Sequence, residues 1–302
     1  MRKFTGLLAG LLLLSSCRPS AQKSVRIDPE IEALIPADTL YLFDANVDRM
    51  RQTDVYRKLE DTVLPQADRI AKELGVDPRK DIREVLASSN GNDVVTLVLG
   101  TFSSSDLELR LQARGAPRRE WKGRTLYGNG EGSLTFLSPH LAAAGTTTAL
   151  KSIIDADRGR QGIPPALKSL VAAVPERDQM WAVSAGGVPG LRMSVAEGSK
   201  LGDIAGMLRG IQAIVLGADF SKGLNVYGRL DCRAEDDAHH VHDALRGAIG
   251  IARLSTPDNH PELLQVYDAI QVTQVNSRVE VTGDLPADQV DRFLSQWLKK
   301  PL

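Results

Sequence analysis

The sequence predicts an α+β fold made of two similar sheet-plus-helix units, mostly antiparallel. Three observations carry this expectation. Short apolar runs of strand length, such as Val94 to Phe102 and Ile211 to Phe220, alternate with stretches of helical spacing. Turn-forming residues separate neighbouring strands by only a few positions, which suits antiparallel pairing. Two series of elements also follow each other in similar order along the chain, the pattern of an internal duplication.

In the first series, Thr39 to Ala45 (TLYLFDA) is a strand begun after Pro36. Val47 to Leu74 places Tyr56, Leu59, Val63, Ala67, Ile70 and Leu74 at helical spacing, with Pro65 kinking or splitting the helix. Arg79 to Ala87 reads as a shorter helical piece. Val94 to Phe102 and Leu107 to Arg114 read as strands, the second because Leu107, Leu109 and Leu111 alternate with polar neighbours. Arg124 to Tyr127 and Ser133 to Leu137 form a hairpin through Gly128-Asn129-Gly130-Glu131-Gly132. Leu141 to Ala144 then leads into a helix over Thr146 to Ile154.

The second series starts with a short helix, Pro165 to Val174, and the strand Gln179 to Ala185. A helix over Leu201 to Arg209 leads to strands at Ile211 to Phe220 and Leu224 to Cys232. A long helix, Ala234 to Leu254, precedes strands at Ala269 to Val275 and Arg278 to Thr282. The last helix runs from Pro286 to Leu298, with the proline suited to its first turn. The duplication equates TLYLF with QMWAV, and Leu97–Gly100 with Ile214–Gly217. The strands from Leu107 and Leu224 keep the same offset of 117 residues, and Ala143–Gly145 matches Val281–Gly283. Each unit is expected to carry helices on one face of its sheet, in separate domains or on one shared sheet. The predicted divisions are 1–16, 17–30, 31–160 and 163–302.

The 302 residues suffice for large cores, and the composition, 42% hydrophobic and 25% charged, is that of a globular body. The formal net charge is −1, and removal of Arg2 and Lys3 would take it to −3. Such a balance gives no footprint for nucleic acid or for anionic lipid headgroups.

Residues 1–17 read MRKFTGLLAGLLLLSSC. Arg2 and Lys3 form a positive start, and the apolar run Gly6 to Leu14 is far shorter than the roughly 20 residues of a membrane span. Leu14-Ser15-Ser16-Cys17 resembles the lipobox of bacterial lipoprotein precursors. That resemblance implies cleavage before Cys17 and acylation of its thiol, with export and anchoring to a membrane. Arg18, in place of an aspartate, points to the outer membrane facing the periplasm. Residues 17–30 then serve as lipidated cysteine and polar tether. With Cys17 acylated, Cys232 has no partner for an intrachain disulfide.

Cys232, His239, His240 and His242 with Asp236, Asp237 and Asp243 are the nearest approach to a metal-ligand set. His239 and Asp243 share a helix face at i, i+4. About 100° per residue spreads the three histidines around the polar side of their helix, so a solvated face is expected and no metal or cofactor. The glycine-rich segment 128–132 lacks the lysine and hydroxyl of a phosphate loop. No Gly-x-Ser-x-Gly elbow occurs, and Ser103-Ser104-Ser105 reads as a turn. Trp121, Trp181 and Trp297 are expected as core or interface anchors. No carboxylate pair stands out by spacing.

These readings favour a non-enzymatic envelope lipoprotein that binds a partner protein or an apolar ligand such as a lipid, with no nucleic acid. The architecture loosely resembles uncharacterised envelope lipoproteins. The competing expectation is an exported hydrolase with dispersed catalytic residues, which requires a deep polar pocket where titratable groups converge.

Overall fold

The computed structural model describes residues 23–63, 67–156, 162–187, 209–257 and 260–297. The signal, Cys17 and residues 201–208 of the helix predicted over Leu201 to Arg209 lie outside these residues. In chain order the elements begin with α1 (Pro29–Glu32), β1 (Tyr41–Asn46), α2 (Val47–Met50), α3 (Asp54–Val63), α4 (Ala67–Leu74) and α5 (Pro78–Asp81). There follow β2 (Ile82–Ser89), β3 (Val94–Gly100), α6 (Ser104–Ala113), β4 (Arg118–Trp121), β5 (Arg124–Tyr127), β6 (Gly132–Ser138), β7 (Leu141–Thr146) and α7 (Thr147–Asp155). The remainder is α8 (Pro165–Val171), β8 (Met180–Ser184), β9 (Ile211–Asp219), β10 (Gly223–Cys232), α9 (Glu235–Leu254), α10 (Pro261–Ala269), β11 (Ile270–Val275), β12 (Arg278–Pro286) and α11 (Ala287–Trp297).

All twelve strands join one antiparallel sheet in the order β11-β12-β10-β9-β8-β1-β2-β3-β7-β6-β5-β4. Its seam is the β1–β8 pair, where Leu42 meets Val183 and Asp44 meets Trp181. The units predicted at 31–160 and 163–302 therefore share one sheet. Outward from the seam the order runs β1-β2-β3-β7 on one side and β8-β9-β10-β12 on the other. The sequence equivalences at offset 117 do not follow that order. Leu97–Gly100 lies in the third strand from the seam and Ile214–Gly217 in the second, while residue 107 begins no strand at all.

Two local predictions are corrected. Residues 82–87 form a strand, because Glu84, Leu86 and Ser88 turn inward while Val85 and Ala87 face the opposite way. Two of the three inward positions are polar, so the alternation is hidden from a hydrophobicity reading. Residues 104–113 form a helix: the Ser103 hydroxyl accepts the Asp106 amide at 3.5 Å as its cap. Leu107 and Leu111, four apart, pack inward, and Leu109 is 65% exposed. The serine triplet thus starts a helix instead of turning a hairpin. The strand β4 and the helices α1 and α10 are additions to the expected elements.

Helices cover both faces, where one had been expected. On one face α1, α7 and α8 bury Ile31, Leu150 and Leu167 against Leu42, Leu86, Leu97 and Val215 of the central strands. At the ends of the other face, α6 packs Leu107 on Phe136 and Ala142, and α9 packs Ala238 and Val241 on Ile214 and Val279. Between them, Phe43, Val94 and Leu216 remain between 37% and 45% exposed. The end of the predicted tether is also packed: Val25 and Ile27 are buried, and the Val25 amide donates to the Val174 carbonyl at 3.1 Å. The alternation of Val25 and Ile27 with Ser24 and Arg26 gives that segment an apolar side.

Candidate functional site

A cleft sits beside the first unit's helices, between α1 with its following loop, α7, and the β5–β6 strands. Its volume is about 850 Å³, within the range of small-molecule sites, about 300–1,000 Å³. Leu34, Leu137, Leu141, Ile153 and Ile154 supply apolar wall, and Glu30, Asp38, Lys122 and Arg124 bring charge to it. Leu141 and Ile153 belong to the buried core, so this wall is continuous with the main hydrophobic cluster.

One side of the cleft is the β4–β5 hairpin. Lys122 and Gly123, with φ of 45° and 77°, make its two-residue turn, and Trp121 pairs with Arg124 across it. These positive φ values suit the tight hairpin twist. The Trp121 indole donates to Asp155 at 2.8 Å, and Lys122 reaches the same carboxylate at 3.0 Å. The Lys151 ammonium lies 4.3 Å from the Trp121 ring centre. Asp155 at the end of α7 thus clasps the hairpin tip, and its bonds with Lys122 and Trp121 hold its carboxyl below the usual range. Arg124 Nη1 donates to the Phe136 carbonyl at 2.8 Å.

A second polar cluster lies on the helix-covered face at the seam. Asp44 and Glu84, on neighbouring strands, are 2% and 6% exposed. Burial pushes the Asp44 carboxyl up to about 8, reinforced by repulsion from Glu84 and a hydrogen bond with it; Trp181 and Arg49 act in the opposite direction. Glu84 is also raised, first by burial, while the Asp28 amide donating at 3.1 Å opposes the rise. At neutral pH the Asp44 carboxyl is therefore held protonated beside a Glu84 carboxyl that is itself raised. Asp178, also buried, is pushed to about 6 by desolvation, and its Oδ2 lies against Gly217, where a Cβ atom would come within 2.0 Å. Among the described residues, Asp44 Oδ1 and Asp178 Oδ2 have no hydrogen-bond partner.

The sequence pointed to none of these carboxylates. Asp44 had one signal, its place two residues after Leu42 in an otherwise apolar strand. Glu84 had none once β2 was read as helix. None of the three lines the cleft.

The residues singled out from the sequence are placed as follows. His239 and Asp243 pair at 3.3 Å on the exposed flank of α9, and His242 reaches Asp243 at 2.9 Å. Among the described residues no three His, Cys, Asp or Glu side chains could hold a metal ion. Cys232 is free and buried under α9, its thiol raised by burial and by Asp237 and Asp231. Gly128 and Gly130 adopt φ of 146° and 140° in the turn between β5 and β6, as the hairpin reading required. Trp181 is a core residue and Trp121 the clasp described above; the side chain of Trp297 lies outside the described residues. Cys17 lies outside them too. Among the described residues no helix is long and apolar enough to cross a membrane.

No family model and no curated protein matches the chain. Solved structures of TP0453 do align with it. Crystal form I aligns at 10% identity and a TM-score of 0.46 over 90% of this chain and 98% of that one. Crystal form IV aligns at 11% identity and a TM-score of 0.48, over 89% and 97%.

Proposed function

We propose that the chain is a lipid-anchored protein of the bacterial envelope whose body binds an apolar ligand in the cleft between α1, α7 and the β5–β6 strands. One observation supports the ligand above all: an open volume of about 850 Å³ in which Leu34, Leu137, Leu141, Ile153 and Ile154 form an apolar stretch of wall beside four charged side chains. Transfer of apolar ligand surface from water to such a wall is favourable by about 25 cal/mol per Å². The lining includes one hydroxyl, Ser152, and no histidine or cysteine. That set suits binding better than hydrolysis, since a nucleophile needs a base within hydrogen-bond reach. The anchor in this reading is the acylated Cys17 thiol, on the outer membrane facing the periplasm. Two or more acyl chains hold a protein stably at a bilayer, at about 0.8 kcal/mol per buried methylene. The exposed Phe43, Val94 and Leu216 strip supports a second reading, docking of a partner protein on the open sheet face.

Two measurements test the proposal. A Cys17→Ser chain should lose acyl labelling; labelling retained in that variant would remove Cys17 as the anchor. Native mass spectrometry of the protein extracted from its own membranes should show one bound lipid beyond the anchor, and Ile154→Trp should lower its occupancy. A body that is always empty would refute the apolar-ligand reading.

A further inference from the structure

The cleft is not purely apolar, and the charges on its wall differ in how well they are satisfied. Lys122 is neutralised by Asp155 at 3.0 Å. Asp38 accepts the Asn90 side-chain amide at 2.6 Å, which directs it toward the β2–β3 turn. Glu30 stands exposed in the first turn of α1. Arg124 is different. It is half-buried at the start of β5, where one arm of its guanidinium donates to the Phe136 carbonyl at 2.8 Å. Among the described residues no carboxylate lies within ion-pair distance of it. A guanidinium has five donors arranged as a planar fork that matches carboxylate and phosphate oxygens. Arg124 is therefore held in position by one neutral acceptor, beside an apolar wall, with most of its donors unspent.

Resting on the reading of the cleft as an apolar binding site, we infer that its ligand is a single-chain amphiphile whose anionic head, a carboxylate or a phosphate monoester, is held by Arg124. The chain of such a ligand lies against Leu34, Leu137, Leu141, Ile153 and Ile154, and the head closes the ion pair that the protein leaves open. The cleft volume matches one chain with its head, at the upper part of the small-molecule range. Lys122 adds positive field at the rim while its own bond to Asp155 keeps the hairpin in place.

The test uses the full chain carrying Cys17→Ser, so that no detergent competes for the cleft, and titrates it with dodecanoate, dodecyl phosphate and dodecanol by calorimetry. The expected result is binding of at least one anionic probe roughly tenfold or more tighter than dodecanol, the effect of a hydrogen-bonded charge. In Arg124→Gln that ratio should fall to about one, and Arg124→Lys should restore part of it. Preference for dodecanoate assigns a fatty acid, and preference for dodecyl phosphate assigns a lysophospholipid-like phosphate; either supports the inference. Equal affinity for dodecanol and both anions, or an anion preference that survives in Arg124→Gln, overturns the head-group assignment and leaves the apolar cleft standing. Failure of all three probes to bind overturns the cleft itself.

Discussion

Replacing Asp44 with asparagine isolates the proton held at the seam. In the folded protein the Asp44 carboxyl is pushed from 3.8 up to about 8, chiefly by burial, whereas in the unfolded chain it returns to its ordinary value. Between those limits the folded state holds a proton that the unfolded state has lost, so stability falls as pH rises. The stabilisation is fully present below the unfolded value and disappears as pH passes the folded one. Asp178 obeys the same rule, but its window closes at about 6. The interval from pH 6.5 to 8.5 therefore reports Asp44 with little contribution from Asp178. Over that interval the linkage relation gives a loss of roughly 2 kcal/mol for a group titrating near 8, a sizeable part of a typical 5–15 kcal/mol domain stability. Asparagine keeps a donor for Glu84 at every pH and removes the titration. Urea denaturation followed by tryptophan fluorescence should show the wild-type loss and its absence in Asp44→Asn, which becomes the more stable protein at pH 8.5. A wild-type stability that is flat or rises across the interval, or an equal loss in the variant, would refute a protonated Asp44.

Two further substitutions test the packing that frames the seam and the cleft. Gly217→Ala places a methyl against Asp178 Oδ2 and should destabilise by about 1–3 kcal/mol, as overpacking does; combining it with Asp178→Ala should cost less than the sum of the two single changes, read from a denaturation cycle. Leu150→Ala in α7 empties a fully buried position beneath the cleft and should cost about 2–5 kcal/mol in thermal or urea unfolding; a cost under 1 kcal/mol would show that α7 is not anchored as described.

Part of this protein is settled by local sequence. The strands at 94–100, 211–219 and 223–232 are continuous apolar or alternating runs, and Pro165 opens α8 where a missing amide costs nothing. The glycines at 128 and 130 make the β5–β6 connection because their backbone takes positive φ. Tertiary structure decided the rest. Residues 82–89 became a strand because β1 and β3 offered ladders on both sides, which overrode a pattern blurred by Glu84 and Ser88. Asp44 and Glu84 lie 40 positions apart in sequence, and only strand register makes them one titrating unit. Arg124 faces the wall of a cleft because α1, α7 and a hairpin tip, distant in sequence, converge around it. Burial and proximity are properties of the folded sheet, and they determine where a charge remains unsatisfied.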